Sequence, residues 1–325
     1  MKIIVTGGAG FIGSSFINYL LDNYEAEVVC VDKMTYCANK DNIKHKVEFI
    51  EKDICDISQD DLGSYDYIVN FAAESHVDNS ITNGMPFIKS NIEGTFNLLE
   101  VARKNSNLIK FIQISTDEVY GDMYDYGANI EADENFPLKA SSYYSASKAA
   151  ADLLVQACHR TYGLPYLITR TCNNFGEHQH PEKFLPKIYK SIKEEKEIPL
   201  YGDGEHVREW IHVDDNARYI TLLMFSDIIN DVVNIGSGIK YSNVRIINII
   251  REKTGGKCVK FKSVPDRLGH DKRYSLNSKK LKEILSKIGQ ATRTTHILDY
   301  FEKIYRPKNW ISLNRIKKPL EWEVF

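Results

Sequence analysis

The sequence predicts an α/β fold: a doubly wound, mostly parallel sheet followed by a smaller, mostly helical carboxy-terminal domain. Three observations carry this expectation. Short β-branched runs alternate with amphipathic segments through the first half, a glycine-rich turn joins the first run to the first helix, and the alternation stops after Arg170. Strands that alternate with helices pair in parallel and are covered on both faces.

The strand expectations, in order, are Lys2–Thr6, Glu27–Asp32, Val47–Lys52, Tyr67–Phe71, Lys110–Ser115 and Tyr166–Thr169. Between them lie helical patterns. Phe11–Asn23 carries Phe16, Tyr19 and Leu20 on one face, and Asn91–Lys104 carries Ile92, Phe96, Leu99 and Arg103 at helical spacing. Ser145–Tyr162 is alanine-rich, with Leu153, Leu154 and Ala157. Beyond Arg170, Phe175–Pro186 reads as a loop, Pro186–Glu197 as a charged helix and Asp231–Ile235 as an apolar run returning to the sheet. The remainder reads as helices separated by the polar loop Val264–Lys272.

With 325 residues, 43% of them hydrophobic and 26% charged, the chain can bury a sizeable core without disulfides or metals. The net charge of −2 provides no global field for nucleic acid or an anionic membrane. The basic runs Lys279-Lys280-Leu281-Lys282 and Arg315-Ile316-Lys317-Lys318 read as solvated faces or tail. Lys2–Thr6 is too short for the apolar core of a signal peptide, and no stretch of ~18 apolar residues is present for a membrane span. The six cysteines, Cys30, Cys37, Cys55, Cys158, Cys172 and Cys258, include no CxxC pair; no metal site is expected, and a reducing cytoplasm is the expected compartment. His178 and His180 with Glu177 and Glu182 imitate a ligand set but fall in a loop, and are given no metal.

Gly7-Gly8-Ala9-Gly10-Phe11-Ile12-Gly13 follows the first strand and opens the first helix. Glycines at this spacing allow a tight turn and close approach of the backbone to a pyrophosphate, and the helix start offers free N–H donors. Nineteen residues after Gly13, Asp32 ends the second strand. A carboxylate there accepts from the ribose diol and repels a 2′-phosphate, so the expected cofactor is NAD. Residues 1–172 are therefore read as the NAD-binding domain, with 211–236 expected to return to it, and residues 173–325 as the substrate domain.

Tyr144 and Lys148 lie four residues apart, on one face of the expected helix. A cation near a phenol lowers its pKa, so this pair suits removal of a hydroxyl proton as hydride leaves. Thr116, Asp117 and Glu118 follow the strand ending at Ser115, where ligands bind in open α/β sheets. Two adjacent carboxyls suit the acid and base of an elimination. Thr116 as a helix cap, with the acids in the first turn, explains the same residues structurally.

Thr6–Ser14, Phe71–Asp78, Ser115–Gly121, Tyr144–Lys148, Pro181-Glu182-Lys183, Tyr201–Gly204, Arg208-Glu209-Trp210 and Asp266–His270 together resemble the dTDP-glucose 4,6-dehydratases of the extended short-chain dehydrogenase/reductase superfamily. The resemblance spans residues 2 to about 277. It implies a Rossmann-type NAD domain and a reaction in which Tyr144, supported by Lys148, deprotonates the C4 hydroxyl. Glu118 then removes the C5 proton, Asp117 protonates the departing C6 hydroxyl and Thr116 hydrogen-bonds the sugar. It implies cofactor contacts at Gly7, Gly10, Phe11, Ile12, Gly13, Asp32, Lys33, Thr35, Asp53, Ile54, Ala72, Ala73, Ser75, Ser90, Tyr144, Lys148 and Asn174. Substrate contacts are implied at Ser75, Thr116, Asn173, Lys183, Phe184, Pro199, Tyr201, Arg208, Arg267 and His270. A sugar-nucleotide substrate and a homodimer, packing helices around Asn91–Lys104 and Ser145–Tyr162, complete the implication.

The chain departs from that pattern at Asn79, Tyr143, Glu177–His180 and Ile239. A UDP-, GDP- or CDP-linked hexose or N-acetylhexosamine is thus an alternative substrate. A sugar-nucleotide 4-epimerase would share Tyr144, Lys148 and NAD but has no evident use for both Asp117 and Glu118. A non-catalytic NAD-sensing protein would need neither Tyr144 nor Lys148 in register.

Overall fold

Seven parallel strands form the central sheet of the computed structural model, which describes residues 1–194, 196–253 and 261–300. Cys258 and Arg315–Lys318 lie outside the described residues. The strands are β1 (Lys2–Thr6), β2 (Glu27–Asp32), β3 (Glu48–Glu51), β4 (Tyr67–Asn70), β5 (Lys110–Thr116), β6 (Tyr166–Thr171) and, after three others, β10 (Asp231–Ile235). Their order is β10-β6-β5-β4-β1-β2-β3, every pair parallel. The order reverses between β1 and β4, and a crevice opens at the carboxyl ends of the strands at such a switch point.

Side-chain alternation along the strands divides the core. Ile3 and Val5 pack on one face with Phe16, Ile17 and Leu20 of helix Phe11–Asn23 and with Tyr219, Ile220 and Leu223 of helix Val213–Phe225. Ile4, Val29, Val31 and Ile68 pack on the other with Leu98, Leu99, Val155 and Cys158. Lys110 is buried at the start of β5, where its ammonium donates to the carbonyls of Leu223, Met224 and Ser226 at 2.8–3.1 Å, capping the end of helix Val213–Phe225.

The two helices over the second face differ from expectation. Glu93 leads into Gly94–Ala102 from a π-turn over Ile88–Glu93, and Met85–Phe87 is helical before it. The wider turn breaks the 3.6-residue period, so the buried stripe is Thr95, Leu98, Leu99, Val101 and Ala102 while Phe96 faces solvent at 53% exposure. Helix Tyr143–Tyr162 likewise buries Tyr144, Lys148, Ala151, Asp152, Val155 and Cys158, leaving Leu153 outside.

The carboxy-terminal region adds small sheets to its helices. β7 (Asn173–Phe175) and β11 (Lys240–Ser242) flank β9 (Val207–His212), and β8 (Ile198–Tyr201) pairs with β12 (Phe261–Val264). Phe175, the first residue of the segment read as a loop, is the last of β7, and helix Phe184–Lys193 starts earlier than expected, with Pro186 in its first turn, where its missing N–H is no loss. Phe175, Ile188, Leu200, Trp210, Ile246 and Ile250 form the core of this region.

Candidate active site

One cavity of about 300 Å³ lies at the carboxyl ends of the sheet strands. Gly7, Gly10, Phe11, Ile12 and Gly13 form its floor after β1; Asp32, Lys33 and Thr35 follow β2; Asp53 and Ile54 follow β3; Ala72, Ala73 and Ser75 follow β4. Ser90 enters from the π-turn, Thr116, Asp117 and Glu118 from the end of β5, Tyr144 and Lys148 from their helix, and Asn173 and Asn174 from β7, with Lys183 beyond it.

The glycine turn has steric reasons. Gly7 has φ +66°, and a Cβ on it would meet the Ala72 backbone nitrogen at 2.6 Å; a Cβ on Gly13 would lie 2.3 Å from the Gly7 carbonyl oxygen. These glycines bring the first helix, the turn and the end of β4 together. Gly10, with no side chain to cap the helix, leaves the first amides at the cavity wall. A Cβ at Gly10 would meet only the Gly7 oxygen, at 3.2 Å, and would otherwise fill the cradle itself.

Across the cradle, the Asp32 carboxylate accepts from the backbone N–H groups of Ala9 (3.0 Å) and Met34 (2.9 Å). Burial pushes its pKa up against those hydrogen bonds. Lys33 is committed elsewhere: its ammonium donates to Ser90 Oγ at 2.6 Å and stands 3.6 Å from both Asp53 and Glu74. A helix start opposite a buried carboxylate fits a pyrophosphate and a ribose diol, and so fits NAD.

The end of β5 carries a second charged group. Thr116 caps a 3₁₀ turn over Asp117–Tyr120 by accepting from the Glu118 N–H at 3.3 Å, so the capping explanation holds alongside placement at the cavity. Thr116 Oγ1 donates to Asp117 Oδ1 at 3.2 Å, while Asp117 Oδ2 is buried with no hydrogen-bond partner among the described residues. Burial first, then the charges of Glu118 and Glu209, hold the Asp117 carboxyl well above the usual carboxylate range. Burial also raises Glu118, but Arg267 and Arg208 oppose it. Two adjacent carboxyls in unlike surroundings provide one group that keeps its proton and one that gives it up more readily.

This arrangement carries a stability consequence. A carboxyl whose folded-state pKa is raised contributes its stability below the unfolded-state value and loses it as pH rises through the folded-state value. Asp117→Asn removes that ionisation, so its melting temperature should exceed the parent's by an increasing margin as pH moves from mildly acid to alkaline. Thermal melts across that range check it, and a margin that shrinks with rising pH contradicts the raised value.

The Tyr144–Lys148 pair differs from its sequence reading. Lys148 donates to the Ile114 carbonyl at 2.6 Å, and burial lowers it to about 8 while Asp152 opposes. Tyr144 is not lowered: burial, then Glu118 and Asp117, raise the phenol, and a hydrogen bond with Thr116 opposes them. Burial and the two acids, rather than the lysine cation, set the direction of the shift. Behind the pair, Asp152 accepts from Arg170 Nε at 3.0 Å, and Arg170 donates to the Tyr120 hydroxyl at 2.9 Å, a buried network under Lys148.

Six residues expected around the substrate stand off the cavity wall. Phe184 stacks on Trp210 in the carboxy-terminal core, and Pro199 lies exposed in β8. Tyr201 and Arg267 both donate to the Asp78 carboxylate at 3.2 Å. Arg208 donates to the Asp271 carbonyl at 2.8 Å and lies over the Tyr274 ring, and His270 meets Asp266. The Arg208 and Arg267 charges nevertheless reach Glu118. Sequence reasoning gave no site role to Cys37, Lys52, Glu74, Gln179, His180 and Glu182, which line the wall. Glu182 accepts from Tyr36 at 3.0 Å and pairs with His76 at 3.7 Å. Its place beside Lys183 in the Pro-Glu-Lys run was the available signal.

Comparisons with known proteins agree with this geometry. The profile of the NAD dependent epimerase/dehydratase family matches residues 3–236. The low-salt glycan biosynthesis protein Agl12 of Haloferax volcanii is 46% identical over 291 residues, 87% of this chain and 92% of that protein. The dTDP-glucose 4,6-dehydratase of Streptomyces niveus is 40% identical over 294 residues, 87% of this chain and 86% of that protein. The crystal structure of DesIV, a dTDP-glucose 4,6-dehydratase from Streptomyces venezuelae with NAD bound, superposes with a TM-score of 0.87 at 38% identity, covering 97% of this chain and 98% of that one.

Proposed function

Because the chain belongs to the NAD dependent epimerase/dehydratase family, we propose that it is a nucleotide-sugar 4,6-dehydratase that converts dTDP-glucose to the 4-keto-6-deoxy sugar nucleotide. The observation that carries the reading is the unlike carboxyl pair Asp117 and Glu118 on the same cavity wall as Tyr144 and Lys148. An epimerase needs the tyrosine and lysine but has no elimination for the two acids to serve.

NAD, which the Gly7–Gly13 turn and Asp32 would hold, would supply a hydride acceptor for C4 and a hydride donor for C6, and its oxidised ring would add a positive charge favouring the Tyr144 phenolate. Tyr144 removes the C4 hydroxyl proton, aided by the Lys148 ammonium and the Thr116 hydroxyl. The resulting C4 ketone acidifies the C5 proton. Glu118 takes that proton as Asp117 gives its own to the departing C6 hydroxyl, and once hydride has reached C6 the proton held by Glu118 returns to C5. Arg208, Arg267 and Lys183 bring positive charge for the diphosphate. Residues 1–172, with 211–236, hold the cofactor; the rest holds the sugar nucleotide.

The outward apolar side chains Phe96 and Leu153, on helices packed side by side, support a homodimer through that face. The free thiols of Cys30, Cys37, Cys55, Cys158 and Cys172 suit the cytoplasm. No helix among the described residues is long and apolar enough to cross a membrane.

Mass spectrometry of incubations with dTDP-, UDP-, GDP- and CDP-linked hexoses tests the assignment. The dTDP-glucose product is expected to lack the mass of one water. An isomer of unchanged mass points to epimerisation, water loss from another nucleotide alone moves the substrate assignment, and no turnover of any sugar nucleotide favours an NAD-sensing protein.

A further inference from the structure

One turn beyond Lys148 on helix Tyr143–Tyr162, Asp152 is fully buried on the same face. That face lies over the ends of β5 and β6, where the parallel register sets Ser115 beside Arg170. Side chains of residues so paired share one face of the sheet. Arg170 Nε donates to Asp152 Oδ2 at 3.0 Å. The guanidinium is itself fixed: it donates to the Tyr120 hydroxyl at 2.9 Å, and Tyr120 donates to Asn234 Oδ1 of β10 at 2.8 Å. The Lys148 ammonium donates to the neutral Ile114 carbonyl at 2.6 Å.

We propose that Asp152 is a positioning residue for the reaction: its carboxylate holds the Lys148 ammonium charged and in place beside Tyr144. A carbonyl accepts a hydrogen bond but brings no counter-charge, and an ammonium only 4% exposed has lost most of its hydration. Asp152 has capacity for a second cation. Oδ2 is taken by Arg170, but Oδ1 is buried with no partner within hydrogen-bond distance among the described residues. One carboxylate thus serves two buried cations. Arginine does not give up its proton in a protein, so if the carboxylate is removed the lysine is the cation that yields.

The electrostatics run the same way. Burial lowers Lys148, and Asp152 is the charge that opposes it. Burial raises the Asp152 carboxyl, and Arg170, then Lys148, oppose that shift, with help from the Ser115 hydroxyl. The other ionisable groups around Lys148 are Tyr144 on its own helix, Asp117 and Glu118 from the turn after β5, and Arg170 and Cys172 from β6. Asp117 and Cys172 are both held toward their protonated forms by burial, and Glu118 is drawn upon by Arg267 and Arg208. The part of Lys148 in turnover rests on the proposed function; the hold of Asp152 on Lys148 does not.

Full-length protein labelled with carbon-13 at lysine Cε is titrated by NMR, and the resonance missing from Lys148→Met identifies Lys148. In Asp152→Asn, Lys148 should titrate at least about one pH unit below the parent, the low end for loss of a close opposite charge. In Arg170→Gln it should titrate higher, because the carboxylate then serves the lysine alone. Loosened packing admits water and raises a buried lysine in either variant, so the fall in Asp152→Asn is the mark of lost charge. Lys148 unchanged or raised in Asp152→Asn overturns the proposal, as does Lys148 unchanged or lowered in Arg170→Gln. Should Asp152→Asn not fold, Arg170→Gln decides alone, since its Asp152 keeps Lys148 as counter-charge. The alkaline limb of dTDP-glucose turnover should move with Lys148, and a limb that stays in place in Asp152→Asn removes Asp152 from the reaction. NMR needs no turnover, so a protein whose Lys148 shifts as expected but which dehydrates nothing sinks the proposed function and leaves the hold of Asp152 on Lys148 standing.

Discussion

Glu118→Gln is expected to keep oxidising the sugar at C4 while product release falls about 10²–10⁴-fold, the usual worth of a positioned general base. Glutamine has the size of glutamate and can keep the 3.4 Å contact with the Tyr274 hydroxyl, and the cap on the turn uses the backbone N–H of this residue, so the wall should keep its shape. It cannot take a proton from C5. Absorbance of reduced nicotinamide should accumulate in a single turnover, and substrate recovered from D₂O should carry no deuterium at C5. Normal product formation by this variant removes Glu118 from its role.

Tyr144→Phe should fail one step earlier. Loss of the phenol removes the base for the C4 hydroxyl, and turnover should drop by about 10²–10⁴-fold with no accumulation of reduced nicotinamide. The two variants are therefore separated by one absorbance measurement. The pH dependence follows from the lysine behind the tyrosine. Lys148 is lowered to about 8 by burial, so its ammonium is present below that value and is lost as pH rises through it. Parent turnover should decline on the alkaline side near about 8, and Lys148→Met should lose that limb. Unimpaired turnover by Tyr144→Phe contradicts the mechanism.

Much of this site was legible because its parts are local. The turn Gly7–Gly13, the strand ending at Asp32 and the four-residue step from Tyr144 to Lys148 each declare themselves within one element, and helix Phe11–Asn23 has the bounds that its pattern predicts. The small sheets were not legible. β7 and β11 have three residues each, too few to show a period, and Asn173 finds its partner at Trp210. The sense of the Tyr144 shift was misread for a related reason. The lysine is a neighbour on the helix, whereas the burial of the phenol and the approach of Glu118 and Asp117 come from the tertiary fold. Phe96 and Leu153 show the limit of reading apolar spacing as burial: the spacing is helical, but the side chains face outward.

The strand order has a consequence for how the chain is made. β6 pairs with β5 on one side and β10 on the other, and about sixty residues separate β6 from β10. During synthesis the edge of β6 stays uncovered until Asp231–Ile235 has emerged, and an unpaired strand edge recruits other strands. A nascent chain halted before β10 therefore holds a complete nucleotide cradle beside an open edge, and assembly of the full sheet waits on its last-made strand.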